Sequence, residues 1–166
     1  VNEVTKKLFP KYRILNDYIQ ASQAEFEQDI KPIGFYHAKT KNILGAAKML
    51  KERFEGKIPK TMQEILKLPG VARKTANVVL GNAYGVVDGI AVDTHVMRFA
   101  QKLERTIYKD PVKIERDLMG LVLKKDWFFL TYGLIEYGRN ICVRRKHECK
   151  DHPLTKIYPR AATIWP

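Results

Sequence analysis

The sequence predicts an all-α fold, and three features support this prediction. Apolar residues recur at helical spacing almost throughout the 166-residue chain. Two capping-box patterns, at residues 22–25 and 61–64, mark helix starts. Glycines and prolines fall mostly between the periodic stretches. A helical chain of this length forms one domain, or two small domains that share a core.

The predicted helices follow from this spacing in chain order. They cover residues 4–9, 15–21, 22–29, 38–54, 61–68, 73–83, 93–103, 111–123 and 127–137. Pro10 is expected to end the first helix near Leu8 or Phe9, because the residue before a proline disfavours helical geometry. Gly56 lies just past the fourth helix, where a C-cap glycine belongs. The last helix has a buried pattern, and the chain after Gly138 is predicted to be irregular.

Residues 86–92 carry a local pattern that favours β structure. Asp88 and Gly89 stand between β-branched residues, a strong pattern for a two-residue hairpin turn. A lone hairpin among helices is marginally stable by itself. We therefore predict an extended loop between two helices in this segment.

The charge of the chain favours a polyanionic partner. Its 30 Lys and Arg residues against 18 Asp and Glu residues give a formal net charge of +12. With 45% hydrophobic and 29% charged residues, the composition is globular and excludes a disordered basic tail. Nucleic acid is the first candidate partner and an anionic membrane the second. A basic protein without a polyanionic partner is the third alternative.

The sequence also indicates where the protein works. It contains no run of about 18 apolar residues and no apolar stretch near its start, so we expect neither a membrane span nor a secretory signal. Cys142 and Cys149 do not make a disulfide framework, which favours a reducing, intracellular setting, namely the cytoplasm and its nucleoid. The chain begins at Val1 without a methionine, and helical patterning starts almost at once. We therefore expect that an N-terminal segment is missing.

Residues 68–76 (LPGVARKTA) join two amphipathic helices by a connection short enough to force a sharp reversal. Gly70 allows a positive φ and the close approach of another molecule. The N-terminus of the following helix presents unpaired amides, which bind phosphate together with the helix dipole. Arg73 and Lys74 add positive charge there. This pattern indicates a site that holds a DNA backbone without reading its sequence; the alternative is an ordinary helical hairpin with a solvent-exposed lysine.

The segment resembles the helix-hairpin-helix of the endonuclease III family of DNA base-excision glycosylases. Further matching segments are residues 33–36, 77–85, 91–96 and 138–142. The resemblance covers most of the chain, and its most specific feature is Lys74 followed 19 residues later by Asp93, which matches the aspartate of the family's Gly/Pro-rich loop. It implies a helix-hairpin-helix glycosylase fold. A helical barrel domain at residues 1–87 and a second helical domain at residues 88–166 would then flank the active cleft.

The resemblance assigns Lys74 as the nucleophile and Asp93 as its acidic partner. A neutral lysine amine attacks C1′, expels the base and leaves a Schiff base, from which β-elimination nicks the strand. Arg73 and the helix N-terminus favour the neutral amine, and the Asp93 carboxylate accepts its proton or stabilises charge on the sugar. A lysine here implies a bifunctional glycosylase and abasic-site lyase for oxidised pyrimidines. Asp93 also has the simpler interpretation of a helix N-cap, and the two roles are compatible.

The resemblance implies that the protein is a monomer whose partner is double-stranded DNA with damaged bases or abasic sites. The implied DNA contacts are Leu68, Gly70, Ala72, Arg73, Thr75, Ile33, Phe35, His95, Arg145 and Lys146. Ile33 and Phe35 lie in a loop that probes the opposite strand in the family, and an inserted side chain fills the gap of an extruded base. A buried aromatic beside Tyr36 is the equal alternative for Phe35. A monofunctional glycosylase for a different lesion and a non-catalytic DNA-binding module also stay open.

The C-terminal region departs from the family, which binds a [4Fe–4S] cluster through cysteines spaced C-x6-C-x2-C-x5-C. Cys142 and Cys149 keep the first spacing, whereas histidine and tyrosine, at 152 and 158, hold the third and fourth positions. Two thiolates do not supply the four ligands of such a cluster, so we expect it to be lost and the chemistry to need no cofactor. With His147 as a fourth ligand, the cysteines and His152 would supply the donor set of a tetrahedral zinc site, and a region packed without metal is the alternative. Without metal, Tyr158 and its neighbours pack the region.

Overall fold

The computed structural model describes residues 2–165 and places them in helices and loops, with no strand among them, which confirms the all-α prediction. In chain order the α-helices are α1 (Asn2–Lys11), α2 (Leu15–Gln20), α3 (Gln23–Ile30), α4 (Tyr36–Arg53), α5 (Met62–Ile65), α6 (Arg73–Tyr84), α7 (Thr94–Lys102), α8 (Pro111–Leu121), α9 (Trp127–Asn140) and α10 (Pro153–Ile157). Short 3-10 helices cover Lys124–Asp126 and Pro159–Ala162. None of these helices combines the length and apolar character that a membrane span requires.

Three predicted helix boundaries are confirmed by capping hydrogen bonds. Ser22 Oγ accepts a bond from the amide of Glu25 at 3.2 Å at the start of α3. Thr61 Oγ1 accepts a bond from the amide of Glu64 at 3.3 Å at the start of α5. Gly56 takes a φ of +75° after α4, and its amide donates to a carbonyl in the last turn at 2.9 Å. These bonds join close neighbours in the sequence, which is why the sequence predicts them.

Two predictions about proline-containing segments are wrong. Helix α1 continues through Pro10, and the Tyr12 amide still donates to the Leu8 carbonyl at 2.9 Å. Pro10 removes one helical N–H donor, but the Tyr12 bond shows that the last turn forms around it. The region after α9, predicted to be irregular, contains α10 and a 3-10 helix. Pro153 and Pro159 occupy the first position of these helices. The N–H at that position has no partner within the helix, so a proline there costs no hydrogen bond.

The chain forms two compact units, Val1–Ala72 and Arg73–Pro166. The core of the first unit contains Leu8, Tyr12, Phe26 and Ile30. The core of the second unit contains Ile90, Val92, Val96, Ala100, Ile114 and Leu118. The domain boundary predicted between residues 87 and 88 stays a prediction. Within the second unit, α6 packs closely on α9, because a Cβ on Gly81 would come within 2.9 Å of the Phe128 ring.

Helix α9 is less buried than its sequence pattern predicts. Among its residues, all of which the structure describes, Thr131 and Gly138 are buried. Phe129 is 71% exposed. The mostly apolar stretch therefore predicted the helix correctly and its burial wrongly, because apolar residues all round a helix do not show which face packs on the core.

The segment between α6 and α7 is an extended loop, as predicted, and residues 85–93, all described, contain no strand. Ile90, Ala91 and Val92 are at most 6% exposed, so this loop runs through the core of the second unit. The Thr131 hydroxyl donates to the Ala91 carbonyl at 3.3 Å, which ties the loop to α9. The loop ends at Asp93, and its burial fixes where that carboxylate lies.

Candidate active site and metal-ligand cluster

The turn of the predicted hairpin requires a glycine at position 70. Gly70 takes a φ of +73°, and a Cβ there would lie 2.7 Å from side-chain atoms of Asn42. The turn is closed by the Val71 amide, which donates to the Leu68 carbonyl at 3.1 Å. The Leu68 side chain is buried, so the DNA contact predicted for this residue is restricted to its backbone. Gly70 itself is exposed, and its predicted contact with DNA stays a prediction.

Lys74 lies in the first turn of α6, where its side chain is exposed. Ala76 and Leu80 of the same helix are fully buried, and they fix which face of α6 points outward. The first turn itself contains no acidic residue, so no carboxylate within α6 caps its free amides or the positive end of its dipole. An amine and an anion-binding helix end therefore occur at the same place.

Arg73, predicted to contact DNA, forms an ion pair inside the second unit. Its Nε donates to Glu115 Oε2 at 2.6 Å, and the Asn77 amide donates to Glu115 Oε1 at 2.9 Å. Glu115 is 4% exposed, and its carboxylate raises the pKa of Arg73. The pair ties the start of α6 to α8. Sequence reasoning missed Glu115, since a carboxylate one position after Ile114 is only a weak sign of a buried partner.

Gly89 gives Glu115 the space for this ion pair. A Cβ on Gly89 would lie 1.9 Å from Glu115 Oε1 and 3.0 Å from the Asn77 amide nitrogen. We expect Gly89→Ala to lower the free energy of unfolding by about 2 kcal/mol, because it overpacks a buried, hydrogen-bonded carboxylate. Urea denaturation measures this effect. The matched control is Gly120→Ala in α8, where nothing lies within 4 Å and no loss is expected. Equal stability of the two variants would contradict the prediction.

Asp93 is the N-cap of α7, which confirms the simpler of its two interpretations. Its Oδ1 accepts bonds from the amides of His95 at 2.8 Å and Val96 at 2.9 Å. The carboxylate is half-buried, and among the described residues no group donates to Oδ2. The cap therefore orients the carboxylate and leaves one oxygen available. The predicted catalytic role of Asp93 stays a prediction.

Phe35 is 88% exposed and takes a φ of +60° at the start of α4. The alternative of a buried aromatic beside Tyr36 is therefore wrong. Ile33, by contrast, is half-buried and packs against the core of the first unit, which leaves it less free to contact DNA. The other predicted DNA contacts are exposed or half-buried: Ala72, Thr75, His95, Arg145 and Lys146. The roles of all these residues stay predictions.

The structure brings together the four predicted metal ligands, which are Cys142, His147, Cys149 and His152. One donor atom from each lies within 4.8 Å of the other three donors. Both thiols are buried, and His147 Nε2 and His152 Nδ1 are buried without a hydrogen-bond partner. Tyr158, at the family's fourth cysteine position, is hydrogen-bonded to Glu104 instead. The Cys/His group, which we call the ligand cluster, has the donor set of a metal site.

Sequence comparisons relate this chain to DNA repair proteins. The family model described as HhH-GPD superfamily base excision DNA repair protein matches residues 1–124. Endonuclease III of Synechocystis sp. is 45% identical over 161 residues, which cover 97% of this chain and 74% of the relative. Endonuclease III of Bacillus subtilis is 45% identical over 158 residues, which cover 95% of this chain and 72% of the relative.

Solved structures show the same relationship. A trapped endonuclease III–DNA covalent intermediate matches with a TM-score of 0.87 and 42% identity, over 93% of this chain and 73% of that chain. A non-covalent endonuclease III–DNA complex matches with a TM-score of 0.89 and 40% identity, over 98% of this chain and 76% of that chain. The similarity in sequence and structure thus extends over most of this chain.

Proposed function

Because the chain belongs to the HhH-GPD superfamily of base excision DNA repair proteins, and within it to the endonuclease III family, we propose that Lys74 and Asp93 are its catalytic pair. The protein is a bifunctional DNA glycosylase and abasic-site lyase that acts on damaged double-stranded DNA through a lysine Schiff base. We assign oxidised pyrimidines as its substrate bases. The exposed amine of Lys74 at the positive end of α6 is the observation that supports the residue assignment most.

Base removal uses both side chains. Lys74 Nζ forms a bond to C1′ while the bond from C1′ to the base breaks, and the electron pair of that bond leaves with the base. The new ammonium group passes a proton to the Asp93 carboxylate. The nitrogen lone pair then opens the sugar ring at the C1′–O4′ bond, and O4′ takes up the proton. The product is a Schiff base between Lys74 and C1′.

Strand cleavage follows from the same intermediate. The Schiff base makes the C2′ proton acidic, and a base removes it. The electron pair left on C2′ forms a double bond to C3′, and the bond between C3′ and the 3′ phosphate oxygen breaks with its electrons on the phosphate. Water then hydrolyses the Schiff base and returns Lys74 as a free amine. These steps use only protein side chains, DNA and water.

We propose that the DNA backbone is held mainly by main-chain amides, around Gly70 and in the first turn of α6. A groove of about 390 Å³ in the second unit, with Arg98 and Arg144 in its lining, offers a further place for a phosphate.

Phe35, which is almost fully exposed, is the side chain that we propose fills the gap of the extruded base. A DNA substrate and two unpaired thiols together favour the cytoplasmic nucleoid as the working location.

We further propose that the chain holds no [4Fe–4S] cluster, although its family implies one. Each of the four irons in such a cluster takes a thiolate, and this chain has two cysteines, Cys142 and Cys149. At the family's fourth cysteine position, the Tyr158 hydroxyl donates a hydrogen bond to Glu104. The residues present therefore do not fit the cluster.

A borohydride trap tests the proposed function. The full chain is incubated with a duplex that contains one abasic site, and borohydride reduces any Schiff base to a stable bond. We expect a covalent protein–DNA adduct and, without borohydride, a nicked strand. Tight binding without an adduct would overturn the lyase assignment and favour a module that only grips DNA. The control is a duplex of the same sequence without an abasic site, and it should give no adduct.

A further inference from the structure

The ligand cluster has the geometry of a site for a single metal ion. Zinc bonds of about 2.3 Å to sulfur and about 2.0 Å to nitrogen place tetrahedral ligands roughly 3.3–3.8 Å apart. The four donor atoms of the ligand cluster are already within 4.8 Å of one another, so small side-chain rotations bring them to that spacing. We propose that the ligand cluster binds one structural Zn²⁺ ion through two thiolates and two imidazoles.

The histidine nitrogens show which atoms would hold the ion. His147 Nδ1 lies 2.6 Å from the Arg145 carbonyl, to which it donates in the tautomer that leaves a lone pair on Nε2. That Nε2 atom is buried without a partner, as is His152 Nδ1. A buried polar atom without a hydrogen-bond partner destabilises the fold, and a bound metal ion would remove this penalty. A carbonyl that fixes the tautomer of a ligating histidine is a usual companion of zinc sites.

The surroundings of the thiols fit two negative charges. Arg98 is 8% exposed, and its guanidinium donates to the Cys142 carbonyl at 2.6 Å and lies 3.8 Å from Cys142 Sγ. The Trp165 ring lies 5.2 Å from the ring of His147, and Lys102 Nζ lies 4.0 Å from the Trp165 ring. With four protein ligands and this cover, the ion would have no open position, which is the arrangement of a structural zinc site.

The same geometry also disfavours a two-iron cluster. A two-iron cluster of the Rieske type also takes two cysteines and two histidines, but it binds each pair to a different iron. The donor atoms would then form two separated pairs, whereas in the ligand cluster all four lie within 4.8 Å of one another. His147 also lies outside the cysteine positions of the family pattern. His147, which the family's cluster does not use, therefore supplies the fourth ligand that one tetrahedral ion requires.

Metal analysis tests this proposal without reference to catalysis. The full chain is purified under anaerobic conditions from cells grown with both iron and zinc, and zinc, iron and acid-labile sulfide are measured per chain. We expect one zinc ion per chain and no sulfide. Stoichiometric iron and sulfide would overturn the proposal, and so would a protein without bound metal. A zinc-loaded protein that gives no borohydride adduct would contradict the proposed function alone.

Two ligand variants and two controls locate the ion. His147→Ala and Cys149→Ser are expected to retain less than about one tenth of the wild-type zinc. His37→Ala, in the other unit, and Tyr158→Phe are expected to retain all of it. Zinc retained in both ligand variants would overturn the assignment.

A second measurement applies if these variants do not fold. Co²⁺ is added to the metal-free wild-type protein, and its absorption spectrum is recorded. Strong absorption from tetrahedral cobalt and from thiolate-to-cobalt charge transfer supports the site, whereas the weak absorption of octahedral cobalt contradicts it.

Discussion

Lys74→Gln is expected to abolish strand nicking and the borohydride adduct, a loss on the order of a thousandfold or more, while DNA binding survives. Glutamine keeps a polar side chain but has no nucleophilic amine. Lys74 is exposed in the first turn of α6, and no hydrogen bond or ion pair of the described residues involves its side chain, so the fold does not depend on it. Removing one positive charge should weaken DNA binding by about tenfold at most.

Single-turnover nicking of a duplex with one abasic site measures the loss for Lys74→Gln, and fluorescence anisotropy at fixed salt measures DNA affinity. The matched control is Lys125→Gln, which removes an exposed lysine from a 3-10 helix of the same unit. This control should nick at the wild-type rate. A trapped adduct of Lys74→Gln at wild-type yield would show that another amine is the nucleophile.

The helix starts of this chain are predictable from sequence because their determinants are local. Ser22, Thr61 and Asp93 each accept a bond from an amide two or three residues later, and such spacings are visible in the sequence. The same local reasoning fails for Pro10 and Pro153. A proline disfavours a helix interior but fits the first helical position, as at Pro153, and Pro10 lies so near the end of α1 that the helix still forms; only the finished helix shows these positions.

The candidate site was less predictable, because its partners are distant in sequence. Arg73 and Glu115 are 42 residues apart, and nothing near either residue indicates their pairing. The sequence therefore reveals only the positive charge of Arg73, which favours a DNA contact. It does not reveal that the Glu115 carboxylate pairs with this charge. The roles of Lys74 and Asp93 came from a family resemblance, since exposure and charge alone do not separate a nucleophilic lysine from a solvated one.

The ligand cluster lies between these two cases. The spacing of Cys142, Cys149 and His152 follows a family pattern, and His147 stands close enough in sequence to join them. Sequence spacing does not show whether four side chains converge, because the connecting segments have little regular structure. The convergence depends on the surrounding fold. For example, the guanidinium of Arg98, which lies in a helix more than 40 residues earlier in the sequence, donates to the Cys142 carbonyl at 2.6 Å.

Asp93→Asn is expected to separate the capping role of this residue from its chemical role. Asparagine retains a side-chain oxygen that accepts the amide bonds of His95 and Val96, so the free energy of unfolding should change by less than about 0.5 kcal/mol. The amide does not accept a proton from Lys74 and does not stabilise positive charge on the sugar. We therefore expect single-turnover nicking to fall by about 10²–10⁴-fold.

Two further variants make the result for Asp93→Asn specific. Asp93→Ala should lose the same rate and, because the cap is gone, about 1 kcal/mol of stability as well. Asp110→Asn is the matched control, since Asp110 caps α8 by accepting a bond from the Lys113 amide at 2.9 Å, and it should keep wild-type rate and stability. Wild-type nicking by Asp93→Asn would mean that the carboxylate acts only as a cap. Loss of rate without loss of stability is expected only if the oxygen that the cap leaves available takes part in the reaction.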